Sequence, residues 1–380
     1  MNYIRETISF IRNTFDSRDF IPLHEPCFAG NEKKYLLNTI DSTFVSSVGA
    51  YVDEFEEKMQ YITQTKKAVA VVNGTAGLQV ALQLVGVERG DEVLTQALTF
   101  VATINAIAYN GAIPLFLDVD SDTMGLSPKA IKNFLNEFGE IRESGCFNKK
   151  TGNRISACLP MHTFGFPVRI EEILEICKYW HIPVVEDAAE SLGSEYRTRP
   201  TGGFGTVGVF SFNGNKIATS GGGGAIVTND QNLGEKAKHL TTTAKKPHVY
   251  EYIHEEIAYN FRMPNINAAL ACGQLEKLDF FLERKRSLAK LYAEFFSGKG
   301  VHFRQELNDT RANYWLMCVE LEDEKEKNFF LKETNESGIM TRPIWRLMYK
   351  LPMYKECFRD SQTNAEYLES RIVNIPSSVR

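Results

Sequence analysis

The sequence lacks the patterns that mark several common classes of protein. Its 7 cysteines form no C-x-x-C pair and its 7 histidines show no H-E-x-x-H or similar spacing, so neither a disulfide framework nor a metal site is predicted. No apolar run is long enough to span a bilayer, and the segment from Met1 to Phe10 carries Arg5 and Glu6 where a signal peptide has an apolar core. We therefore expect a cytoplasmic protein with no membrane partner.

Strong charge of one sign is also absent. The net charge is −5 and basic runs are short, which argues against general binding of nucleic acid. The sequence contains neither a Walker A pattern nor a G-x-S-x-G nucleophile elbow. The spacing G-x-G-x-x-G occurs from Gly203 to Gly208, but these glycines run into an apolar strand instead of opening a helix. A dinucleotide site is therefore excluded, because its fingerprint must follow a strand and open a helix.

What remains is the composition of a globular protein large enough for more than one domain, with 380 residues of which 43% are hydrophobic. Short apolar runs alternate with helical stretches from about residue 68 to residue 212, which predicts an α/β fold with a mostly parallel central sheet covered on both faces. From about Phe280 the pattern changes to a charged helix, short strands and an aromatic tail. We predict a large domain over residues 1–280, opening with helices, and a smaller C-terminal α+β domain over residues 281–380.

Three candidate functional residues lie at or just past the ends of predicted strands. They are Thr75, Asp187 and Lys216. Ligands of parallel sheets bind at the carboxyl ends of the strands, so these side chains are expected to converge. Lys216 follows the apolar run 207–212 and precedes four glycines, an arrangement in which a lysine can act as a Schiff-base nucleophile.

Each neighbouring motif has both a functional and a purely structural interpretation. Gly74–Thr75 can hold a phosphate at a helix N-terminus or can simply cap the helix. Asp187 can pair with a protonated ring nitrogen or form a salt bridge, and Phe100 can stack on a flat ring or pack in the core. Asn260 and Arg262 can bind a phosphate or carboxylate, or can cap the following helix. The residues alone leave these alternatives open.

Six motifs taken in order carry a resemblance to a known family. They are Gly-Thr-Ala from residue 74, T-F-V-A-T from residue 99, G-A-x-P-x-F-x-D-V from residue 111, E-D-A-A-E from residue 186, S-F-N-G-N-K from residue 211 with its glycine run, and Y-N-F-R-M-x-N-x-x-A-A from residue 259. From about Pro26 to its end, the chain resembles the pyridoxal-phosphate-dependent sugar aminotransferases of the DegT/DnrJ/EryC1/StrS family.

The resemblance implies the fold-type I aminotransferase architecture, assembled as a homodimer with active sites at the subunit interface. It implies that Lys216 binds pyridoxal phosphate covalently, that Asp187 pairs with its ring nitrogen and that Phe100 stacks on its ring. The implied phosphate ligands are Gly74, Thr75 and Ser211, completed by Asn260 from the partner subunit with Arg262 beside it.

Glu190 departs from the family pattern. It stands where many members carry Gln or His, at a position that contacts the phenolic oxygen of the cofactor. Some members that act on N-acetylated or perosamine-type sugars carry Glu there. Glu190 is therefore retained as a candidate cofactor contact.

The resemblance also implies the substrates. Glutamate is the expected amino donor, and a nucleotide-linked 4-keto-6-deoxy sugar is the expected acceptor. The motifs S-F-N-G-N-K, G-G-G-G and T-R-P-I-W look most like the branch that aminates UDP-4-keto-6-deoxy-N-acetylglucosamine for bacillosamine and legionaminic acid synthesis. The candidate substrate contacts are Arg342 and Trp345, a loop of Ser46, Ser47 and Val48, and Arg262.

Three alternatives compete with this interpretation. The acceptor can be a GDP-linked 4-keto-mannose, which gives perosamine. The fold can also serve as a sugar dehydratase, although in the known case a histidine replaces the lysine. A catalytically silent binding protein on this fold would not need Lys216, Asp187 and Thr75 together. The intact Lys216 favours transamination.

Overall fold

The computed structural model describes residues 2–380 of the protein. The α-helices are α1 Asn2–Phe15, α2 Glu32–Asp41, α3 Ala50–Thr63, α4 Gly74–Leu84, α5 Val101–Tyr109, α6 Pro128–Phe138, α7 Ile170–Tyr179, α8 Gln231–Thr241, α9 Asn265–Leu275, α10 Leu278–Phe296, α11 Glu324–Glu336 and α12 Thr363–Glu369. Short 3-10 turns cover Thr163–Gly165 and Met348–Lys350.

The β-strands are short and occur along most of the chain. They are β1 Lys67–Val71, β2 Glu92–Gln96, β3 Ile113–Leu117, β4 Gly139–Arg142, β5 Gly145–Asn148, β6 Arg154–Leu159, β7 Val185–Asp187, β8 Glu195–Tyr196, β9 Arg199–Pro200, β10 Val207–Ser211, β11 Gly224–Thr228, β12 His302–Phe303, β13 Thr310–Arg311, β14 Met317–Glu320, β15 Arg342–Pro343 and β16 Ile372–Ile375.

The central sheet is assembled from two groups of strands. One group has the order β1-β11-β10-β7 and the other the order β3-β2-β6-β5-β4. Parallel bridges between Cys158 and Val184 and between Met161 and Asp187 join β6 to β7. Along the resulting order β1-β11-β10-β7-β6-β2-β3, only β11 runs antiparallel to its neighbours. The predicted mostly parallel α/β sheet is thus confirmed.

Helices cover this sheet closely enough to bury its strands. Both β2 and β11 are buried along their whole length. The helices α3, α4 and α8 pack on β1 and β11, while α5 and α6 pack on β3. Strands buried in this way read as continuous apolar runs, which is why the sequence pattern identified most of them.

The sequence analysis missed β11 and the antiparallel hairpin of β4 and β5. The first residue of β11 is Gly224, the last of the four glycines, and an added Cβ there would lie 2.7 Å from the backbone carbon of Asn73 and 2.9 Å from the nitrogen of Gly74. Glycine therefore lets the strand pass directly behind the start of α4. Because glycine usually weakens a strand, a run of four glycines does not predict that a strand begins there.

The last part of the chain forms a second sheet and contacts the first helix. Strands β12, β14, β16 and β15 pair antiparallel in that order. The hydroxyl of Tyr3 in α1 donates to Glu326 in α11 at 2.7 Å, and Ile21 bridges to Ile339. The boundary at residue 280 stays a prediction. Among residues 2–380, no helix is both long and apolar enough to cross a membrane.

The close approach at Gly224 predicts a large effect of a single methyl group. We expect Gly224→Ala to lower the free energy of unfolding by about 1–3 kcal/mol, because backbone atoms of Asn73 and Gly74 occupy the space of the new Cβ. Chemical denaturation of the cofactor-free chain measures this. Gly222→Ala is the matched control, since a Cβ at Gly222 meets nothing within 4 Å. Equal stability of the two variants would contradict the packing described here.

Candidate active site

A cavity of about 660 Å³ lies at the carboxyl ends of the central strands, where β1, β7 and β10 end. The sequence-predicted residues that line it are Gly74, Thr75, Phe100, Asp187, Glu190, Ser211, Lys216, Arg342 and Trp345. Residues from distant parts of the chain thus meet at one place. Groups whose roles could not be decided from each motif alone can therefore bind one ligand together.

The N-terminus of α4 forms one wall of the cavity. Asn73 caps this helix, and its side chain accepts the N–H of Ala76 at 2.8 Å. The N–H groups of Gly74 and Thr75 precede the first helical hydrogen bond and have no acceptor within the helix. An added Cβ at Gly74 would lie 2.9 Å from Cβ of Ser211, so β10 passes very close to this end. Free N–H groups, a positive helix end and two hydroxyls suit a phosphate.

Asp187 is a buried carboxylate with two fixed partners. Its Oδ2 accepts the hydroxyl of Thr103 at 2.7 Å, and its Oδ1 accepts the N–H of Ala189 at 3.1 Å. Burial raises the pKa of Asp187, while these two hydrogen bonds and the charge of Lys216 act in the opposite direction. A cationic group on a ligand would stabilise the carboxylate further.

Lys216 lies in the loop between β10 and β11, and its side chain is only 12% exposed. Its Nζ lies 3.8 Å from the centroid of the Trp315 ring and 3.5 Å from Oε1 of Glu190. The Trp315 indole N–H donates to the carbonyl of Asn215 at 2.7 Å, which fixes the ring against the lysine loop. The amine is thus held inside the cavity by an aromatic face and a carboxylate.

Glu190 is the second carboxylate of the cavity, with 3% of its surface exposed. Its Oε2 accepts the N–H of Phe164 at 2.8 Å, and its other oxygen faces Lys216. Burial raises the pKa of Glu190 to about 7, against the lowering effect of Lys216. The nearby charge of Asp187 adds to the increase.

An aromatic group closes another side of the cavity. Phe100 is 49% exposed, at the N-cap of α5, and its ring lies 6.3 Å from Trp345. Trp345 in turn packs on Phe164 at 4.8 Å. The guanidinium of Arg342 contacts only polar neutral groups among the described residues, Asn335 and the carbonyl of Thr341. An exposed ring and an arginine without a carboxylate partner are available to a ligand.

Five predicted residues lie outside this cavity. The Nε–H of Arg262 donates to Asn260 at 2.9 Å, beside the end of β1. The loop of Ser46, Ser47 and Val48 is held by Asn265, whose N–H donates to the carbonyl of Ser46. Their predicted roles in binding stay predictions.

Thr103 and Trp315 are site residues that the sequence analysis missed. Thr103 is the last residue of the T-F-V-A-T motif, four positions after Thr99, so helical spacing could have placed both on one face. Trp315 is distant from Lys216 in the chain, and nothing in the local sequence marks their contact.

The glycine-rich segment rejected as a dinucleotide fingerprint binds a carboxylate of the protein itself. Glu186 accepts the N–H groups of Gly202, Phe204 and Gly205 at 2.8, 2.7 and 2.6 Å. The buried ring of His162 completes the set at 3.1 Å from Glu186. The N–H groups of this loop are therefore occupied.

Comparisons with known proteins agree with this geometry. Residues 26–380 match the model of the DegT/DnrJ/EryC1/StrS aminotransferase family. The GDP-perosamine synthase of Escherichia coli O157:H7 is 35% identical over 358 residues, which cover 94% of this chain and 93% of the relative. The GDP-perosamine synthase of Vibrio cholerae is 34% identical and covers 88% of this chain and 87% of its own.

Solved structures share the fold over nearly the whole chain. Helicobacter pylori PseC, an aminotransferase involved in the biosynthesis of pseudoaminic acid, matches with a TM-score of 0.85 at 24% identity, covering 94% of both chains. A DegT DnrJ EryC1 StrS aminotransferase from Brucella abortus matches with a TM-score of 0.84 at 25% identity, covering 91% of this chain and 90% of its own. The predicted fold-type I architecture is thereby confirmed.

The fold and the site define a pyridoxal-phosphate-dependent aminotransferase that acts on sugars. The chain belongs to the DegT/DnrJ/EryC1/StrS aminotransferase family. The residues present fit the cofactor, since one cavity combines a helix N-terminus, a buried carboxylate and a lysine. Because Gly74 has no Cβ, Ser211 packs directly against the start of α4, which places its hydroxyl beside the free N–H groups that a phosphate would contact.

Thr103 offers a test of the Asp187 site. We expect Thr103→Val to weaken binding of pyridoxal phosphate by about tenfold, because a hydrogen bond to a buried charged group is lost. Titration of the cofactor-free chain, followed by visible absorption, measures this affinity. Thr241→Val is the control, because Thr241 is buried outside the cavity and its hydroxyl bonds to a helix carbonyl at 2.8 Å. Equal affinities in both variants would show that Thr103 does not support the site.

Proposed function

We propose that the protein transfers an amino group from glutamate to C4 of a nucleotide-linked 4-keto-6-deoxy sugar. The observation that carries this proposal is the meeting of Lys216, Asp187 and the N-terminus of α4 in one cavity. These groups match the three chemical features of pyridoxal phosphate, which are an aldehyde, a basic ring nitrogen and a phosphate.

Each group has a separate role. When bound, pyridoxal phosphate supplies an aldehyde carbon that reacts with amines and a ring that accepts an electron pair. Gly74, Thr75 and Ser211 hold the phosphate, and Asp187 keeps a proton on the ring nitrogen. Lys216 would bind the aldehyde carbon through Nζ and, as a free amine, would remove the proton from the amine-bearing carbon of the donor as a general base.

The proposed acceptor is UDP-2-acetamido-2,6-dideoxy-4-keto-hexose. Its support is the combination of S-F-N-G-N-K, the glycine run and T-R-P-I-W, which resembles the branch described above. Arg342 and Trp345 of the last motif line the cavity together with Lys216. An arginine and an indole can contact the diphosphate and the ring of a nucleotide sugar. The product would serve bacillosamine or legionaminic acid synthesis.

A second acceptor is favoured by the relatives. Three proteins named GDP-perosamine synthase are 31–35% identical to this chain. This supports GDP-4-keto-6-deoxymannose as an alternative acceptor. The putative pyridoxal phosphate-dependent aminotransferase EpsN of Bacillus subtilis is also 35% identical, so an assay has to distinguish the acceptors.

An acceptor panel distinguishes the two sugars. With glutamate as donor, we expect faster conversion of the UDP-linked N-acetyl sugar than of GDP-4-keto-6-deoxymannose, measured as kcat/KM. Lys216→Ala is the blank and should show neither turnover nor the visible band of lysine-bound cofactor. A higher kcat/KM with the GDP sugar would assign perosamine synthesis instead. A wild-type protein that stays colourless with added cofactor would refute the whole proposal.

We propose in addition that the protein is a homodimer with shared active sites. Support comes from exposed apolar side chains in the segment before Asn260, where Val249 is 95%, Tyr252 79% and Ile257 93% exposed. Exposed apolar groups of this size are typical of interaction surfaces. Asn260 and Arg262 lie outside the cavity of their own chain, as expected of residues that complete the partner's site.

Mixing of inactive variants tests the shared site. If Asn260 acts in the partner's site, a dimer of one Lys216→Ala chain and one Asn260→Ala chain contains one intact site. Refolding an equal mixture should then restore about a quarter of the wild-type sites, as random pairing in a two-fold dimer requires. In the control mixture, Arg284→Ala takes the place of Asn260→Ala. The activity of this mixture should equal the activity that its Arg284→Ala chains show alone, because these chains keep Lys216 and Asn260. Absence of any recovery would place Asn260 outside the partner's site.

A further inference from the structure

The contact between Glu190 and Lys216 has no part in the roles given above. Oε1 of Glu190 lies 3.5 Å from Nζ of Lys216, and only 2% and 12% of the two side chains are exposed. A buried ion pair loses the hydration of both charges, whereas a pair made of a neutral acid and a neutral amine does not. This environment therefore favours a proton that can reside on either partner.

The surrounding backbone fixes Glu190 at this distance. The N–H of Phe164 binds its second oxygen at 2.8 Å, and the side chain of Asn313 binds its carbonyl at 2.9 Å. Phe164 has a left-handed φ of 56°, and Gly165 follows with a φ of 95°, where a Cβ would lie 1.8 Å from Asn313. A non-glycine residue in this conformation is unfavourable and persists only where its surroundings impose it.

The two carboxylates of the cavity have different environments. Asp187 is stabilised as an anion by Thr103 and by the N–H of Ala189. Glu190 has one N–H donor for its side chain and faces both Asp187 and Lys216. When the environments of two acids in one site push their pKa values apart, the two acids can take different roles. Asp187 suits a permanent charge, and Glu190 suits an exchangeable proton.

We propose that Glu190 is the proton acceptor of Lys216. The carboxylate takes one proton from the Lys216 ammonium group, which leaves an uncharged amine with a free electron pair next to a carboxylic acid. The reverse transfer restores the charged pair, so no proton has to leave the cavity and no other reactant is consumed. This inference rests on the function proposed above, in which the uncharged amine of Lys216 is the nucleophile.

Other titratable groups affect this exchange. Burial, with a smaller contribution from Asp187 at the end of β7, raises the pKa of Glu190 to about 7. The ring nitrogens of His24 are also buried, and burial together with the charge of Lys285 lowers the pKa of His24 well below its usual value, with Lys216 adding a smaller effect. His24 is therefore uncharged near neutral pH and adds no positive charge next to Lys216.

Acetylation of Lys216 by acetic anhydride in the cofactor-free full-length chain measures the free amine directly. For the wild type, we expect the rate, followed by mass spectrometry, to rise with pH in two steps, the first near pH 7, where Glu190 titrates. Glu190→Gln should give a single step, because glutamine has nearly the same size as glutamate but no group that ionises. Lys238, which pairs with Glu56 at 2.6 Å outside the cavity, is the reference amine and should be unchanged. A single step of the same shape in both proteins would overturn the proposal.

Turnover provides a second readout. We expect Glu190→Gln to lower kcat by about a hundredfold with little change in KM, the usual contribution of a positioned acid or base. Glu190→His should recover part of this loss, since imidazole can exchange a proton in the same range. A kcat of Glu190→Gln equal to that of the wild type would refute the role. If the proposed function were wrong, the wild type itself would show no glutamate-dependent turnover, whereas the acetylation profile would still report on proton sharing.

Discussion

Three ionisable groups occupy one cavity that is largely shielded from water. Burying them costs free energy, and the other contacts of the site offset this cost. Asp187 and Glu190 are almost completely buried, and Lys216 is nearly so. Desolvation opposes every charge among them, so each group needs fixed partners. The partners are backbone N–H groups, the hydroxyl of Thr103 and the face of Trp315. These contacts hold the groups in place before any ligand arrives.

The backbone supplies much of this organisation. Gly224 and Gly74 let a strand, a helix end and Ser211 approach within contact distance. Phe164 accepts a left-handed conformation that presents its N–H to Glu190. Unfavourable local conformations of this kind are typical of functional sites, where the surrounding packing maintains them. In the neighbouring loop around Gly202, the N–H groups instead donate hydrogen bonds to Glu186, which lies beside Asp187 in β7.

Local patterns explain what could be predicted from the sequence. The helix after β1 and most central strands follow from apolar periodicity, and the candidates Lys216, Asp187 and Thr75 follow from their positions at or just past strand ends. Features that depend on distant residues could not be found. Strand β11 begins in glycines, which do not predict a strand. Trp315 contacts Lys216, and the side chain of Asn313 donates to the carbonyl of Glu190, although both residues are distant from their partners in the sequence. The resemblance identified the chemistry but left the proton exchange at Glu190 open, because that residue departs from the family pattern.

The position of β11 has a consequence for how the chain folds during synthesis. This strand lies between β1 and β10, and it pairs Lys67 with Thr228. Among residues 2–380, β11 is the only strand next to β1 in the central sheet, so β1 emerges from the ribosome long before its neighbour exists. Until then the unpaired backbone of this apolar strand can form hydrogen bonds with strands of other chains. This risk of aggregation grows with the sequence separation between the two strands that pair in the native sheet. The large sheet is thus completed only when β11 has been synthesised, which is after Lys216 but before Trp315, Arg342 and Trp345 of the cavity.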